Sequence, residues 1–345
     1  MNRVTPWFSS AFTAVLAVGL ALPAAADPVA DFYRGRTTQI VASFPAGGMY
    51  SVYSLLLANH MGRHIPGTPT VIVQHMPGAG GLKATNYLYN AAARDGTVMG
   101  MVVKDLAVDQ VLRPKVVKYD AAKFNWLGRV NAYVSVLYVT DRSGARTIED
   151  AKKKEVILGS SGKTSGTYVH PILLNRLAGT KFRIVLGYKG AADLNQAAEN
   201  GETHGWANGA YVGFLRPGNR RDMLKAGKVS MLMLTGTRRR PEAPDVPLFL
   251  DLVKDPEARK IVAFVDSVTE LGWALFTTPG VPPERVAALR TAFDATVRDP
   301  AFLADAKRIH APIDPLSAAE VTKIVKDTLA VSPDVVRKMR DLVGF

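Results

Sequence analysis

Short β-branched runs that end in Pro, Gly or Ser turns and lead into helical stretches recur along this chain. The clearest is Gln39-Ile40-Val41-Ala42-Ser43-Phe44-Pro45-Ala46-Gly47-Gly48, followed by an apolar, helix-like segment over 49–61. Strand, glycine turn and helix start are the parts of a backbone anion site. The first N–H groups of a helix have no partner inside it, and they carry the positive end of its dipole. Glycine lets a ligand approach the backbone closely. The turn lacks the Gly-Lys-Ser/Thr ending of a phosphate loop and the G-x-G-x-x-G of a dinucleotide fold. It suits a carboxylate better than a nucleotide.

The pattern repeats. Thr70–His75 reads as a strand, Met76-Pro77-Gly78-Ala79-Gly80-Gly81 as a turn and 82–93 as a helix. Further strands are expected over 97–103, 134–140, 155–160, 182–186, 229–234 and 273–277, with helices over 167–178, 283–298 and 318–330. The 155–160 strand enters a second glycine-rich turn, Ser161-Gly162-Lys163-Thr164-Ser165-Gly166. The 182–186 strand leads to Tyr188-Lys189-Gly190-Ala191-Ala192 and a helix to about Asn200. Such alternation predicts an α/β fold with parallel-rich sheets flanked by helices, and ligands at the carboxyl ends of the strands. One such turn is usually structural. Two or three facing each other form a pocket of backbone N–H groups and hydroxyls.

Arg3, the apolar run 11–22 and Ala24-Ala25-Ala26 before Asp27 read as a secretory leader over residues 1–26, removed on export. A membrane anchor fits less well, because the run is short of the ~20 residues a span needs. The expected location is the periplasm. With no cysteine, the chain has neither disulfides nor thiol chemistry. The remainder is long enough for about two domains of ~100–200 residues each. The net charge of +13 attracts anions, but the basic residues are dispersed. Arg238-Arg239-Arg240, the one notable run, has no aromatic interleaving, so nucleic acid is not an expected partner.

Other constellations carry less. His60 and His64 have a zinc-compatible spacing, yet a zinc site needs at least three ligands and the H-E-x-x-H glutamate is missing. Ser160, Ser161, Ser165 and His170 raise a hydrolase as an alternative, but there is no G-x-S-x-G elbow and no identifiable acidic partner. His170 either assists a ligand or packs. Lys163 either pairs with an anion or points to solvent. No metal centre and no cofactor are expected.

Several of these segments resemble the solute-binding receptors of tripartite tricarboxylate transporters, the Bug family, over nearly all of the chain after the leader. The family's Phe-Pro-Pro-Gly-Gly turn is similar to Phe44-Pro45-Ala46-Gly47-Gly48. Its Pro-Gly-Ala-Gly-Gly segment matches Pro77-Gly78-Ala79-Gly80-Gly81, and its Asp-Gly step matches Asp95-Gly96-Thr97. Its Gly-x-Gly-Thr/Ser loop resembles the stretch from Gly162 to His170, and its Tyr-Lys-Gly loop resembles Tyr188-Lys189-Gly190. Its Arg-Arg-Pro…Pro-Asp-Val-Pro run resembles Arg239-Arg240-Pro241-Glu242-Ala243-Pro244-Asp245-Val246-Pro247. Shared order and spacing make weak motifs specific together.

The resemblance implies a type II, two-domain periplasmic binding protein of the Venus-flytrap kind. Domain 1 would be 27–133 plus 273–345 and domain 2 would be 134–272, with 134–140 and 273–277 as hinge crossings. It implies an organic carboxylate bound between the domains, no chemistry on the ligand, and delivery to membrane subunits of a secondary transporter by a monomer. A sensor kinase as partner is the alternative. The implied ligand-binding residues are Phe44, Pro45, Ala46, Gly47, Gly48, Tyr50, Ser51, Lys104, Ser161, Gly162, Lys163, Thr164, Ser165, Thr167, His170, Tyr188, Gly190, Ala191 and Asn208. Ser51 and Leu55 stand where the family usually has Asp and Arg, and Gly201-Glu202 leads to Asn208-Gly209 where it often has Asp. With Tyr50 and Tyr53 nearby, these departures motivate a larger or aromatic carboxylate.

Overall fold

The computed structural model describes Met1 and residues 27–163 and 165–344. Residues 2–26 of the expected leader, and Thr164, lie outside the described residues. Eleven strands are found among the described residues: β1 (Thr37–Ala42), β2 (Thr70–His75), β3 (Val98–Met101), β4 (Asn125–Arg129), β5 (Ser135–Thr140), β6 (Val156–Ser160), β7 (Phe182–Leu186), β8 (Gly205–Ala210), β9 (Val229–Leu234), β10 (Ala274–Thr277) and β11 (Leu316–Ser317). They form two sheets, ordered β11-β4-β10-β3-β1-β2 and β7-β6-β8-β5-β9. Helices cover both, so the fold is α/β as the alternation predicts.

Parallel pairing joins β1 to β2 and β3, and β6 to β7 and β8. Antiparallel pairing joins β10 to β3 and β4, β11 to β4, and β5 to β8 and β9. The sheets are therefore mixed. β5 and β10 are the strands that enter a sheet after the chain has crossed from the other one, and they run against their neighbours. The carboxyl ends of β1 and β3 lie together, as do those of β6, β7, β8 and β9.

The chain passes between the sheets at 130–134 and 269–273, just ahead of the strands named as crossings from the sequence. The two segments pair with each other: Val130 N–H donates to Trp273 O at 3.0 Å, Trp273 N–H to Asn131 O at 3.1 Å and Tyr133 N–H to Thr269 O at 2.9 Å. Gly272 has φ +54, and a Cβ there would lie 2.1 Å from Asn131 O, so only glycine permits this close approach.

Apolar clusters sandwich each sheet. Ile40, Met99, Leu127 and Leu275 belong to the first, while Leu137, Leu158 and Met233 belong to the second. Each fully buried aliphatic side chain of this kind stabilises the fold by about 1.5–3 kcal/mol. The Leu106–Leu112 helix serves both, with Leu106 and Ala107 in a first-sheet cluster and Val108 and Leu112 in the second. The Ala318–Leu329 helix packs on the first sheet through Val321 and Val325. The final helix, Pro333–Val343, returns to the second through Val335, Val336, Met339 and Val343.

Candidate functional site

β1 ends in the turn 43–48, and Gly48 starts the Met49–Met61 helix with extended backbone and no side-chain cap. Several other helices carry a side-chain cap, as where Asp255 accepts from Ala258 N–H at 2.7 Å, and several do not. The N-terminal N–H groups of the Met49–Met61 helix thus lack the usual side-chain acceptor. Gly47 has φ +91, which favours glycine, and a Cβ on Gly47 or Gly48 would meet nothing within 4 Å. Open space therefore lies over the turn. Phe44 and Pro45 are half-buried, and Ala46 is exposed.

On the second sheet, β6 leads to the loop 161–165. Its hydroxyls bond mainly one another: Thr167 Oγ1 lies 2.9 Å from Ser160 Oγ, accepts from Ser161 N–H at 3.1 Å and donates to Ser165 Oγ at 3.0 Å. Ser165 caps the Gly166–Ala178 helix. Gly162 faces open space and Lys163 is exposed. β7 leads to Tyr188, whose ring lies against Gly159, and to Gly190, which starts the Ala191–Asn200 helix without a side-chain cap. A Cβ on Gly190 would lie 3.8 Å from Pro45 Cδ. The turns after β1 and β7 therefore face each other across the gap between the sheets.

The floor of this gap is the crossing. Tyr133 Oη donates to Asn208 O at 2.9 Å, and Ser135 Oγ donates to Asn208 Oδ1 at 2.6 Å. Asn208 has φ +65, a conformation Asn tolerates better than most residues. Its amide lies where any Cβ on Gly166 would collide, at 2.5 Å. The rings of Phe44, Tyr50, Tyr133 and Trp273 pack in a continuous row behind the turn 43–48, all but Phe44 buried, with neighbouring centroids 4.7–6.2 Å apart.

The model of the tripartite tricarboxylate transporter family receptor matches residues 57–340 of this chain. This chain belongs to that family. No curated protein sequence matches it. Among solved structures it is similar to the periplasmic binding protein BugD, at 20% identity, TM-score 0.71, covering 90% of this chain and 98% of that one. It is also similar to Rpa4515 of R. palustris with adipate, at 20% identity, TM-score 0.68, covering 90% and 97%. A third is MatC of Rhodopseudomonas palustris with bound malate, at 19% identity, TM-score 0.65, covering 89% and 99%. At these identities the likeness shows the fold, that of a periplasmic binding protein.

Within this tripartite tricarboxylate receptor, not every residue named from sequence lies open to the gap. Tyr50 is buried, its Oη accepting from Lys104 N–H at 2.9 Å. Tyr53 is fully buried and donates to Pro312 O at 2.8 Å. Ser51 Oγ is 2.9 Å from His75 Nε2. These three are core groups, so the aromatic bulk read from Tyr50 and Tyr53 packs the receptor itself. A helix-wheel ambiguity near a turn hides this from the sequence. Lys104 is buried, with Nζ 3.0 Å from Asp105 Oδ1 and 5.2 Å from the Tyr133 ring centroid.

His170 packs edge-on against Phe249, and its Nδ1 has no partner. Burial, helped by the Lys104 charge, pushes it down to about 3, so the ring is neutral. Burial raises Asp109, ion-paired to Arg113 at 2.6 Å, to about 7, and it raises Asp266 to about 7 as well. Asp105, Asp109, Gly166 and His170 line a cavity of about 20 Å³, room for one water.

His60 and His64 pair separately with Asp305 and Asp299, each at 2.8 Å, and hold the end of the Met49–Met61 helix and the turn after it to the Pro300–Arg308 helix. Among the described residues no three metal-ligating groups converge. Arg239 pairs with Asp251 on the surface. The sequence reading missed Asn131, Tyr133, Ser135, Arg216 and Arg220. Asn131 and Tyr133 lie in the crossing, Ser135 opens β5, and Arg216 and Arg220 lie after β8 on a short connection and the Asn219–Lys225 helix, where no glycine turn marks them.

Proposed function

We propose that this receptor is an exported, monomeric solute-binding protein that captures an organic carboxylate between two lobes. It presents the closed form to membrane subunits of a secondary transporter. The lobes follow the two sheets, 27–133 with 273–332 and 134–272, and the final helix straps the first segment onto the second lobe. The observation that carries the reading is the uncapped Gly47-Gly48 helix start, open above its backbone and facing the Gly190 turn. Charge-assisted bonds from backbone N–H groups to a carboxylate are short and strong, and closure around it lowers the local dielectric.

The ligand contacts come from the turn 44–48, from Gly162, Ser161 and Ser165, from Tyr188, Gly190 and Ala191, and from Asn208. Thr167, Lys104 and His170 support the site from beneath. The net charge of +13 favours capture of anions. Adipate and malate in related folds support aliphatic acids as the first compounds to test. The neutral His170, bonded to no acid among the described residues, supports binding without chemistry. A thermal-shift screen over organic acids tests the reading, because a ligand that binds only the folded state raises Tm with concentration.

A further inference from the structure

The segment after β8 belongs to the second lobe by sequence and touches both lobes. One side of it faces the second lobe. Tyr211 and Phe214 are buried in that lobe's apolar cluster, the Phe214 ring lies edge-on to Tyr138 of β5 at 5.0 Å, and Tyr211 N–H donates to Val134 O at 3.0 Å. The other side faces the first lobe. Ala210 and Val212 are buried in the cluster that holds Met49, Tyr50 and Ala306. Arg216 then reaches across: its Nε donates to Ile309 O at 2.8 Å, and its Nη1 lies 3.3 Å from Met49 Sδ. Ile309 is the C-cap of the Pro300–Arg308 helix, and Met49 begins the Met49–Met61 helix beside Gly48. A guanidinium suits such a helix end, where the last carbonyls carry the negative end of the dipole.

The paired segments 130–134 and 269–273 are the floor about which two lobes can rock. The Arg216–Ile309 bond and the burial of Val212 are side-chain contacts outside that backbone pairing, so they last only while the lobes stay together. Both favour the closed arrangement before any ligand arrives. A ligand that needs this arrangement binds more tightly in proportion to the fraction already closed.

We propose that Arg216, seated with Val212 on the first lobe, is a latch that sets how far the receptor is closed in the absence of ligand. This rests on the two-lobe reading above and not on the identity of the ligand.

The chain has no cysteine, so Asn59→Cys on the Met49–Met61 helix and Gln196→Cys on the Ala191–Asn200 helix, both exposed, place the only two spin labels. Pulsed dipolar spectroscopy of this purified, ligand-free receptor should give one predominant, shorter distance. Arg216→Gln should raise the ratio of longer to shorter distances about tenfold, the weight of a bond from a charged donor. Arg216→Lys keeps a charged donor and should recover part of the shorter population. Val212→Thr, of the same shape, should shift the ratio in the same direction as Arg216→Gln, and it decides by the same criterion where Arg216→Gln fails to fold. Gly190→Phe, which wedges the lobes, is the control. A distribution in Arg216→Gln equal to its parent's, beside a lengthened one in Gly190→Phe, overturns the latch and leaves the two lobes standing. A parent in which the longer distance already predominates overturns the latch as well. No change in any variant, the control included, overturns both.

Discussion

Pro45 and Gly190 belong to turns on different sheets, yet a Cβ on Gly190 would stand 3.8 Å from Pro45 Cδ. That spacing is an ordinary van der Waals contact, so the two sides are close to touching here. Gly190→Ala should be tolerated. Gly190→Phe should wedge the lobes apart and weaken ligand binding about tenfold or more, since closure supplies the buried part of the site. Tm without ligand should change little. Calorimetry with small-angle scattering checks this, and full affinity in Gly190→Phe would separate the turn from closure.

Gly48→Asp should move stability and binding in opposite directions. Gly48 has φ −87, and a Cβ there meets nothing within 4 Å. Aspartate is a favoured N-cap, so the fold should gain a few tenths of a kcal/mol. Its carboxylate would occupy the place and the charge of the ligand, so binding should be lost. Gly47 has φ +91, and Gly47→Asp adds strain to the same block, which makes it the poorer probe.

How much of this was legible in the sequence depended on local signals. β2, β7 and β9 are bounded by turn residues and carry β-branched or apolar runs, and their limits follow directly. β4 and β8 contain glycine and polar residues, Gly128 and Asn208 among them, and gave no strand pattern. The glycine turns announced their geometry because positive φ and close approach leave few residue choices. Tyr50 and Ser51 sit beside such a turn, and only packing against Tyr133 and Trp273 or bonding to His75 decides which way they point. The pairing of 130–134 with 269–273 joins segments far apart in the chain, which no local pattern encodes.

Asp266 predicts a pH effect. Its Oδ2 accepts from Gly236 N–H at 3.1 Å, its Oδ1 has no partner, and burial raises it to about 7. A carboxyl raised above its unfolded value, near 4, favours the fold while protonated. That contribution is complete below about pH 4 and is lost as pH rises through 7. Asp266→Asn should therefore gain on wild type by several degrees in Tm between about pH 5 and 8. His170 acts in the opposite sense: its support is present above about pH 6.5 and lost as pH falls toward 3. A Tm gap between Asp266→Asn and wild type that stays constant with pH would remove the buried-acid assignment.

Arg129 clamps the crossing. Its Nη1 donates to Glu270 O at 2.8 Å and Oε2 at 2.9 Å, and its Nη2 donates to Asp314 O and Oδ2, both at 2.9 Å. Arg129 is buried while both acidic side chains are well exposed. Arg129→Met should cost about 2 kcal/mol or more, because two backbone carbonyls lose a charged donor. Glu270→Gln and Asp314→Asn should each cost less than about 1 kcal/mol. Chemical denaturation of the three variants checks the order.

An organic carboxylate held at the Gly47-Gly48 helix start between the lobes has one direct thermodynamic consequence, a ligand-dependent rise in Tm. The most direct measurement is a concentration series of aliphatic acids against the Tm of wild type and Gly48→Asp. A dose-dependent rise is expected in wild type for at least one acid, and none in Gly48→Asp. A flat wild-type response over a broad acid library, or an equal rise in Gly48→Asp, would contradict it.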